Sequence, residues 1–517
     1  MSLPFEPLSP VIRLRNSFNR PYDDAIAAAR TCYSSDVVEA VDVTAKQRDS
    51  IGPLTFNAGH HTIYQHATFE FSLENISRHF VWSILHSFPF YNSDQQSQRY
   101  VRLNEVRAFL PPPEKMTGKA FQLYRSAVVE GFQTYRELAE ILKADTLRIM
   151  GKIRHLDRHP HPRLEKQVVR EADKKAIEIA RYVLPVATHT AMVYTCSGLV
   201  LHRLWRLMNG GDTPTEARTV IGAMVQAVKE IDPDFFSKIG DPPLEREEIP
   251  ESSWVDAGPA DYDPAEWDRE LAPYRLSKLM DYTANGEKVI AQSMRMALGS
   301  AVTSRSSSDL VRLALDPHVN RYRIEKIDLS AQSPVMRTLH HVYYTFQKRL
   351  SHSADSQNQR HRMVPGTRPL YQLVDTARPD FFRPMLIERN PKALEMYDRH
   401  MKKIWKAKND LLEMGVPREF AVYVLPNAAN VRFMESGSLL FLLHKWTQRT
   451  CLNAQEEIFH ASMEEVEQVT KVHPFLKDFV GPPCVVRNGV ASPRCTEGSH
   501  FCGIPVWRDF PNVQREL

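Results

Sequence analysis

The chain has 517 residues, with 66 basic and 62 acidic side chains and a formal net charge of +4. A chain of this length outgrows a single hydrophobic core, so we expect two or three domains. The near balance of charge argues against a nucleic-acid coat, and no apolar run reaches the roughly 18–20 residues of a membrane span. The start of the sequence lacks the basic and apolar regions of a secretory signal. We therefore expect a soluble cytoplasmic protein that binds neither membranes nor nucleic acid.

The sequence patterns of the first half of the chain predict mainly helices, with little strand. An extended lead-in to residue 20 precedes a predicted helix at 21–35, and alternation at 68–73 predicts a half-buried strand, followed by a helix-like run to His86. Charged or apolar periodicity predicts further helices at 114–150, at 163–181, after the Val-Leu-Pro at 183–185, and at 214–231. Residues 240–268 are rich in Pro, Asp and Glu and have no helical period, so we interpret them as a linker.

The same order of landmarks then returns. We predict helices at 270–300 and 392–414, with a strand or helix at 327–350 between them. Val-Leu-Pro recurs at 424–426, Ser-Gly at 197–198 recurs at 436–437, and the His…Trp at 202–205 recurs at 444–446. Repeated landmarks in one order indicate an internal duplication, and a period near 240–265 residues indicates two copies of a domain.

Two polar segments also look alike. Residues 93–100 read SDQQSQRY and residues 355–361 read DSQNQRH, and each follows a His-Ser pair. A repeated loop that holds Arg, Gln and Ser or Asn suits an anionic, hydrogen-bonding small ligand. A repeated surface turn is the alternative.

These residues carry a family resemblance. The segment GVPREFAVYVLPNAANVRFMESGSLLFLLHKWTQRTCLNAQEEI, at 415–458, resembles the C-terminal half of flavin-dependent thymidylate synthases without a gap. Gly59-His60-x-Thr62 with His66 resembles the flavin-side turn of that family, and 97–100 resembles its nucleotide-binding S-x-R-Y. The chain therefore resembles a tandem, divergent member of this family.

The family signature R-H-R-x-x-S-x-N-E-x-S-x-R-Y is altered here. The R-H-R place in the first repeat reads Leu-His-Ser at 85–87, and the N-E pair reads Asn-Ser at 92–93. Arg360-His361-Arg362 looks like R-H-R, but alignment of the two polar segments puts Arg360 in the place of Arg99. Substitutes for the missing arginines could be Arg78, Arg102 or Arg362.

The resemblance implies a composite site. Ala191 and Met208 of the first repeat stand where the second repeat has Arg432 and Arg449, so the first repeat keeps the front half of a site and the second the back half. The implied roles are catalytic for Arg99 and Arg360; substrate-binding for Ser97, Gln98, Arg99 and Arg432; and cofactor-binding for His60, Thr62, His86, Ser87 and Arg449.

The implied activity is reductive transfer of a one-carbon unit from methylenetetrahydrofolate to C5 of deoxyuridine monophosphate (dUMP), with FAD as cofactor and NADPH as reductant. A homodimer would mimic the homotetramer of the family. A non-catalytic flavin- or nucleotide-binding descendant, or a flavoenzyme that acts on another uridine substrate such as RNA, remains an alternative.

The implied fold class is α+β, with two tandem domains of helices around a small sheet and a short C-terminal Cys/His region. The expected boundaries are 1–240 for the first repeat, 241–268 for the linker, 269–470 for the second repeat and 471–517 for the C-terminal segment. That segment holds Cys484, Cys495, His500 and Cys502, which could bind a structural zinc ion as a tetrahedral set. Unconnected thiols are the alternative, since a disulfide is disfavoured in a reducing cytoplasm.

Overall fold

The computed structural model describes residues 8–86, 90–158, 161–258 and 262–517. Its described part contains two four-stranded antiparallel sheets with strand orders β1-β2-β4-β3 and β5-β6-β8-β7. The two sheets therefore have the same topology, element for element. The strands are β1 (Val11–Ser17), β2 (Thr68–Ser77), β3 (Tyr91–Gln95), β4 (His189–Ser197), β5 (Ser277–Tyr282), β6 (Tyr343–Ser351), β7 (Gly366–Thr367) and β8 (Asn430–Ser438).

Helices surround each sheet. Those up to the first connection are α1 (Pro21–Thr31), α2 (Ala45–Asn57), α3 (Arg78–Leu85), α4 (Gly118–Ile153), α5 (Pro162–Ala180), α6 (Gly198–Arg206), α7 (Pro214–Ile231) and α8 (Asp234–Lys238). The connection holds α9 (Pro250–Ala257) and α10 (Pro264–Leu271). The remainder are α11 (Gly286–Leu298), α12 (Ser307–Leu315), α13 (Pro334–Arg337), α14 (His352–Asn358), α15 (Tyr371–Val374), α16 (Met385–Arg389), α17 (Pro391–Glu413), α18 (Arg418–Ala421), α19 (Leu439–Arg449), α20 (Glu456–Val472), α21 (Pro483–Val486) and α22 (Val506–Asp509).

The α+β class with two similar domains is confirmed, and so are the long amphipathic helices. Three local predictions were wrong. The segment after the first Val-Leu-Pro forms strand β4 before helix α6, and β5 interrupts the helix expected at 270–300. The two polar segments are not equivalent loops, because the first is strand β3 and its following turn, whereas the second is mainly helix α14.

The described residues of the segment expected to be a linker are partly helical and contact the second repeat. They include α9 and α10, and Asp268 on α10 makes ion pairs with Arg349 and Arg432 at 2.8 Å each. The domain boundaries themselves stay predictions.

The two Val-Leu-Pro segments join the repeats. They run antiparallel beside each other, with Val186 donating to Leu425 (2.8 Å) and Asn427 donating to Leu184 (2.8 Å). Helices α4 and α17 pack across the same junction, and one hydrophobic core contains residues of both repeats. The two repeats thus share one hydrophobic core, so a site at their junction contains residues of both repeats within one chain.

Candidate functional site

A buried glutamate in each repeat fixes how the two copies correspond. Glu216 accepts hydrogen bonds from the backbone nitrogen and Oγ of Ser77, at 2.6 Å each, and from Tyr423 Oη of the other repeat at 2.7 Å. Glu457 does the same with Ser351 and with Tyr182 Oη of the other repeat (3.1 Å). Each serine also caps the following helix, α3 or α14. Ser77 and Ser351 are therefore equivalent positions.

This register corrects the alignment of the polar segments. Arg360 follows Ser351 by nine residues, and the residue nine after Ser77 is His86, whereas Arg99 follows Ser77 by twenty-two. Arg360-His361-Arg362 begins two residues after the end of α14, and counted from the capping serines it corresponds to positions 86–88, one residue beyond the start of the Leu-His-Ser. These residues therefore lie within one residue of the R-H-R place and also resemble R-H-R in sequence. The prediction that Arg360 is equivalent to Arg99 was wrong.

Five arginines from the two repeats converge at the junction: Arg78, Arg99, Arg181, Arg360 and Arg449. Burial, and then the charges of Arg181 and Arg360, lower the pKa of Arg78 to about 9. Burial, and then Arg360 and Arg99, lower the pKa of Arg449 to about 10. Arg360 and Arg449 line one cavity, and the like charges of neighbouring guanidinium groups add to burial in lowering the pKa of Arg78 and of Arg449. We call this set the arginine cluster.

One carboxylate lies close to the cluster. Arg99 donates from Nε to Glu178 (2.8 Å) and from Nη2 to the carbonyl oxygen of Asn453 (2.9 Å). Burial alone would raise the pKa of Glu178, but Arg99, Lys175 and Arg181 hold it well below its usual value. Glu178, with the Glu457 carboxylate also near Arg181, leaves the five cations with an excess of positive charge.

Several buried donors around the cluster have no acceptor among the described residues. They are Nε of Arg78, Nε2 of Gln98, Nε and Nη2 of Arg181, and Nε2 of Gln357. Buried polar groups in folded proteins are nearly always hydrogen-bonded. A set composed only of donors, next to uncompensated cations, is what a bound anion would satisfy.

A cavity of about 890 Å³ opens beside the cluster. Arg360, Arg362 and Arg449 line it from the second repeat, and Tyr91 and Asn92 line it from the first. Arg362 donates to Asn92 Oδ1 (3.1 Å), and its guanidinium lies 4.5 Å from the centre of the Tyr91 ring. The cavity therefore lies between the repeats and has a basic wall.

His361 orients one of these arginines. Arg449 donates from Nε to His361 Nε2 (2.9 Å) and from Nη2 to the Gln357 carbonyl oxygen (3.2 Å). Burial, and then Arg449 itself, hold the pKa of His361 well below its ordinary value, so the imidazole is neutral and can accept. These bonds fix the Arg449 guanidinium at the mouth of the cavity.

The other residues predicted to bind the substrate lie in two separate parts of the structure. Gln98 is buried and accepts from Asn427 of the second repeat (3.1 Å), while Ser97 Oγ accepts from the backbone nitrogen of Arg99 (3.2 Å), so both belong to the arginine cluster's surroundings. Arg432 lies elsewhere: it makes four hydrogen bonds of 2.6–3.2 Å to Asp268 and Asp380. Its guanidinium is saturated by these carboxylates, so a substrate contact for Arg432 stays a prediction.

The predicted cofactor residues of the first repeat are not gathered at the cavity. His60 and Thr62 are exposed on the turn before β2. His86 is partly buried, its Nε2 lies 3.2 Å from Asp355 Oδ2, and desolvation lowers its pKa to about 4 despite that carboxylate. Ser87 lies outside the described residues. Their roles toward a flavin stay predictions.

At the junction related to the cavity by the internal repeat, a buried carboxylate takes part in the described contacts. There Asp355 accepts from Trp82 Nε1 (2.9 Å) and from Arg368 Nη2 (2.9 Å), and it also contacts His86. Met208 occupies the place of Arg449. The internal repeat therefore generates two junctions, of which one gathers arginines and the other places a carboxylate, Asp355, against Arg368.

The predicted zinc site is not formed. Across the described ranges, no group of three or more His, Cys, Asp or Glu side chains is placed to hold a metal ion. Cys484, Cys495 and Cys502 instead pack with Phe459 and Val506 in a small apolar cluster, and His500 is exposed. The spacing suggested ligands because turns separate the cysteines, but packing uses the thiols as apolar groups.

Sequence reasoning missed part of the site. Arg181 and Gln357 were not predicted as site residues, although Arg181 precedes the Val-Leu-Pro landmark of the first repeat, separated from it only by Tyr182. Two of the three possible substitutes for the missing arginines, Arg78 and Arg362, lie at the site. Arg102 is not, since it makes ion pairs with Glu140 (3.0 Å) and Asp173 (2.7 Å).

Comparisons with known proteins agree with the duplicated fold. A family profile described as "Thymidylate synthase complementing protein" (Thy1) matches residues 13–234 and 278–475, and the chain belongs to this family. The chain is 31% identical over 217 residues to a flavin-dependent thymidylate synthase of Saccharolobus solfataricus, covering 40% of this chain and 78% of the relative. A flavin-dependent thymidylate synthase of Clostridium tetani is 26% identical over 232 residues, covering 44% of this chain and 86% of the relative.

Among solved structures, a UMP/dUMP methylase, PolB, from Streptomyces cacaoi has a TM-score of 0.32 and 18% identity, covering 45% of this chain and 95% of that one. No conclusion rests on a likeness of that size. None of the helices in the described ranges has the length and apolar character needed to cross a membrane.

Proposed function

We propose that this chain is a flavin-dependent transferase of the thymidylate synthase type, which moves a one-carbon unit from methylenetetrahydrofolate to C5 of dUMP at a single site between its repeats. The observation that supports this most is the arginine cluster, since it joins Arg99 of the first repeat to Arg360 and Arg449 of the second, with buried donors that lack acceptors. The relatives named above as flavin-dependent thymidylate synthases support the same reaction type.

The phosphate of dUMP is the anion that the cluster suits. Guanidinium groups present two parallel donors, which match a phosphate dianion, and low surrounding polarity strengthens each contact. Arg99, Arg449 and the free edge of Arg181 would hold it, with Gln98 and Ser97 adding hydrogen bonds. Binding would also relieve the repulsion that lowers the pKa of Arg449.

The pyrimidine would lie in the cavity beside the cluster. Attack from C5 requires negative charge to build up on the uracil carbonyl oxygens, and a nearby cation stabilises that charge. Arg360 is exposed on the cavity wall and can turn toward such a ring. We therefore assign Arg360 to ring activation and Arg99 to phosphate binding.

Bound reduced FAD would supply the electrons that bring the one-carbon unit to the methyl level, with NADPH as their source. The unsatisfied donors of Arg78 and Gln357 and the cation Arg362 fit the phosphates of such a cofactor. His60 and Thr62 lie on an exposed turn, so we propose that a second copy of the chain completes the flavin contacts there, in a homodimer that mimics a four-domain assembly. The six free cysteines suit the cytoplasmic location that we propose.

The test is titration of the purified chain with dUMP, together with its absorbance near 450 nm and tritium release from 5-tritiated dUMP. Arg449→Met should weaken dUMP binding about a hundredfold, the loss expected for a desolvated guanidinium–phosphate contact of about 3 kcal/mol. Met208→Leu, at the equivalent position of the first repeat, is the matched control and should bind as the unaltered chain does. Equal dUMP affinity in Arg449→Met and Met208→Leu would refute the composite site.

A second candidate is a descendant that binds flavin or a uridine nucleotide without this chemistry, or that modifies another uridine substrate. The Leu-His-Ser and Asn-Ser replacements in the first repeat favour it. A chain that binds dUMP through Arg449, yet releases no tritium with flavin, NADPH and methylenetetrahydrofolate present, would support this candidate over the first.

A further inference from the structure

A second large cavity lies on the other side of Arg99. Its volume is about 1040 Å³, and it is bounded by α5, by the end of α4 and by residues 497–517. The family profile ends at residue 475, so the C-terminal wall belongs to a segment outside the family match. We call this cavity the C-terminal cleft.

One face of α5 gives the cleft a basic wall. Arg163, Lys166, Arg170 and Lys174 recur every three to four residues, which places them on one side of a helix. From the first to the last they span about 16 Å along the axis, at 1.5 Å per residue. No ion pair within 4.0 Å joins these four to a carboxylate among the described residues. They can face several negative charges in a row.

Four glutamates, Glu171, Glu178, Glu497 and Glu516, also line the cleft, but its eight Lys and Arg side chains outnumber them. Arg515 is 6% exposed and donates from Nη2 to the Ala454 carbonyl oxygen (2.8 Å), but its Nε and Nη1 have no acceptor among the described residues. Arg154 pairs with Glu171 (3.1 Å), yet its own Nε is also buried without an acceptor. Burial lowers the pKa of Lys175 to about 8, because Glu178 compensates it only partly and Arg515 and Arg99 repel it.

Solvation of the basic face of α5 does not account for the buried arginine donors beneath it. Water can satisfy the four exposed cations of the wall, but it does not reach the buried nitrogens of Arg515 and Arg154. Arg515 and Arg154 line this basic cavity, and their buried donors without acceptors among the described residues suit an anionic ligand.

The cleft also offers surfaces for an aromatic group. The exposed Tyr100 ring lies at its edge, with the Arg99 guanidinium carbon 5.5 Å and the Lys174 ammonium 5.7 Å from its centre. Met150, Ile153 and Ile504 add apolar lining. The volume is at the upper end of small-molecule sites, large enough for a ligand of dinucleotide size.

We propose that the C-terminal cleft binds a nucleotide with two or more phosphate groups, at a site separate from the dUMP cavity and built partly by the C-terminal segment. Two ligands share this chemistry: NADPH, the reductant of the proposed reaction, and a deoxynucleoside triphosphate that acts as an effector. Arg99 lines the cleft and belongs to the arginine cluster, so occupancy of the cleft is positioned to affect the cluster.

The experiment is calorimetric titration of the full chain, saturated with dUMP, with NADPH, NADH and dTTP in turn. The variant Lys166→Glu/Arg170→Glu reverses two exposed charges of the wall, and Lys288→Glu/Lys402→Glu, two exposed lysines outside the cleft, is the matched control. We expect NADPH or dTTP to bind and the wall variant to weaken that binding at least tenfold, with the control unchanged. Binding of NADPH but not NADH identifies the reductant, and binding of dTTP identifies an effector.

Three results would overturn the proposal: no binding of NADPH or dTTP, equal binding by the wall variant and the unaltered chain, or binding of a uridine oligonucleotide alone. Thermal midpoints of both double variants show whether they fold. Failure of the proposed function is distinguishable, because it appears as loss of dUMP binding in the unaltered chain, titrated alone, whereas the wall variant is expected to bind dUMP normally.

Discussion

The paired glutamates at the junction give the sharpest prediction, which concerns stability against pH. Glu457 is fully buried, and burial raises its pKa from the ordinary 4.5 to about 7, although Ser351 and Tyr182 stabilise the ionised form. Glu216 has the same environment and its pKa is likewise raised to about 7. Because each folded-state pKa lies above the unfolded value, the stabilising contribution is present below about pH 4.5 and is lost as the pH rises through 7.

The magnitude follows from the shift. A difference of 2.5 pKa units, from 4.5 to about 7, corresponds to about 3 kcal/mol per glutamate at 1.36 kcal/mol per unit. The substitution Glu457→Gln mimics the protonated acid and removes this titration. Relative to the unaltered chain, the variant should gain under about 1 kcal/mol of unfolding free energy at pH 5 and about 3 kcal/mol at pH 8. Glu216→Gln should behave alike, and the double variant should gain about twice as much.

The assay is urea denaturation at pH 5, 6, 7 and 8 for the unaltered chain and each variant. Comparing variants at equal pH cancels the titration of every other group. Glu413→Gln, at an exposed carboxylate near the end of α17, is the control and should give a difference near zero at each pH. A Glu457→Gln difference that does not change between pH 5 and pH 8 would show that Glu457 titrates normally, and the reasoning would fail.

Three further substitutions probe the charges that close the rest of the fold. Asp355→Asn leaves the buried guanidinium of Arg368 without its main partner, so the unfolding free energy should fall by about 3 kcal/mol in urea denaturation, against little change for Asp410→Asn at an exposed pair. Lys445→Met removes one of the two lysines that pair with the buried Glu435 and Glu465, and it should cost about 3–5 kcal/mol by the same measurement. Arg432→Gln should cost about 1–2 kcal/mol and leave dUMP affinity within twofold. A hundredfold loss of affinity would instead establish the substrate contact that the sequence predicted.

The internal duplication was readable because each landmark is local. Val-Leu-Pro, Ser-Gly and the His…Trp pair keep their order in both halves, and amphipathic periods such as that of α5 depend on neighbouring residues alone. The family resemblance rests on the same kind of signal. The sequence patterns did not predict strand β5 or the strand at 93–95, because short strands depend on the strands beside them.

The correspondence of the polar segments was decided by contacts that sequence does not display. Both segments hold Asp, Gln, Ser and Arg, so composition favoured matching Arg360 to Arg99. The Ser77–Glu216 and Ser351–Glu457 bonds join residues more than a hundred positions apart, and they set a different register. The zinc prediction failed for a related reason, since spacing along the chain does not give the direction of a side chain.

The sequence by itself determined that the chain is a duplicated α+β protein of one family, with its arginines unequally divided between the copies. Only the tertiary structure decided that one junction gathers Arg78, Arg99, Arg181, Arg360 and Arg449 while the equivalent junction places Asp355 against Arg368. The physical reason is that the charge balance of a buried site depends on which side chains meet in space. That meeting is set by packing across the repeats, which no local pattern encodes.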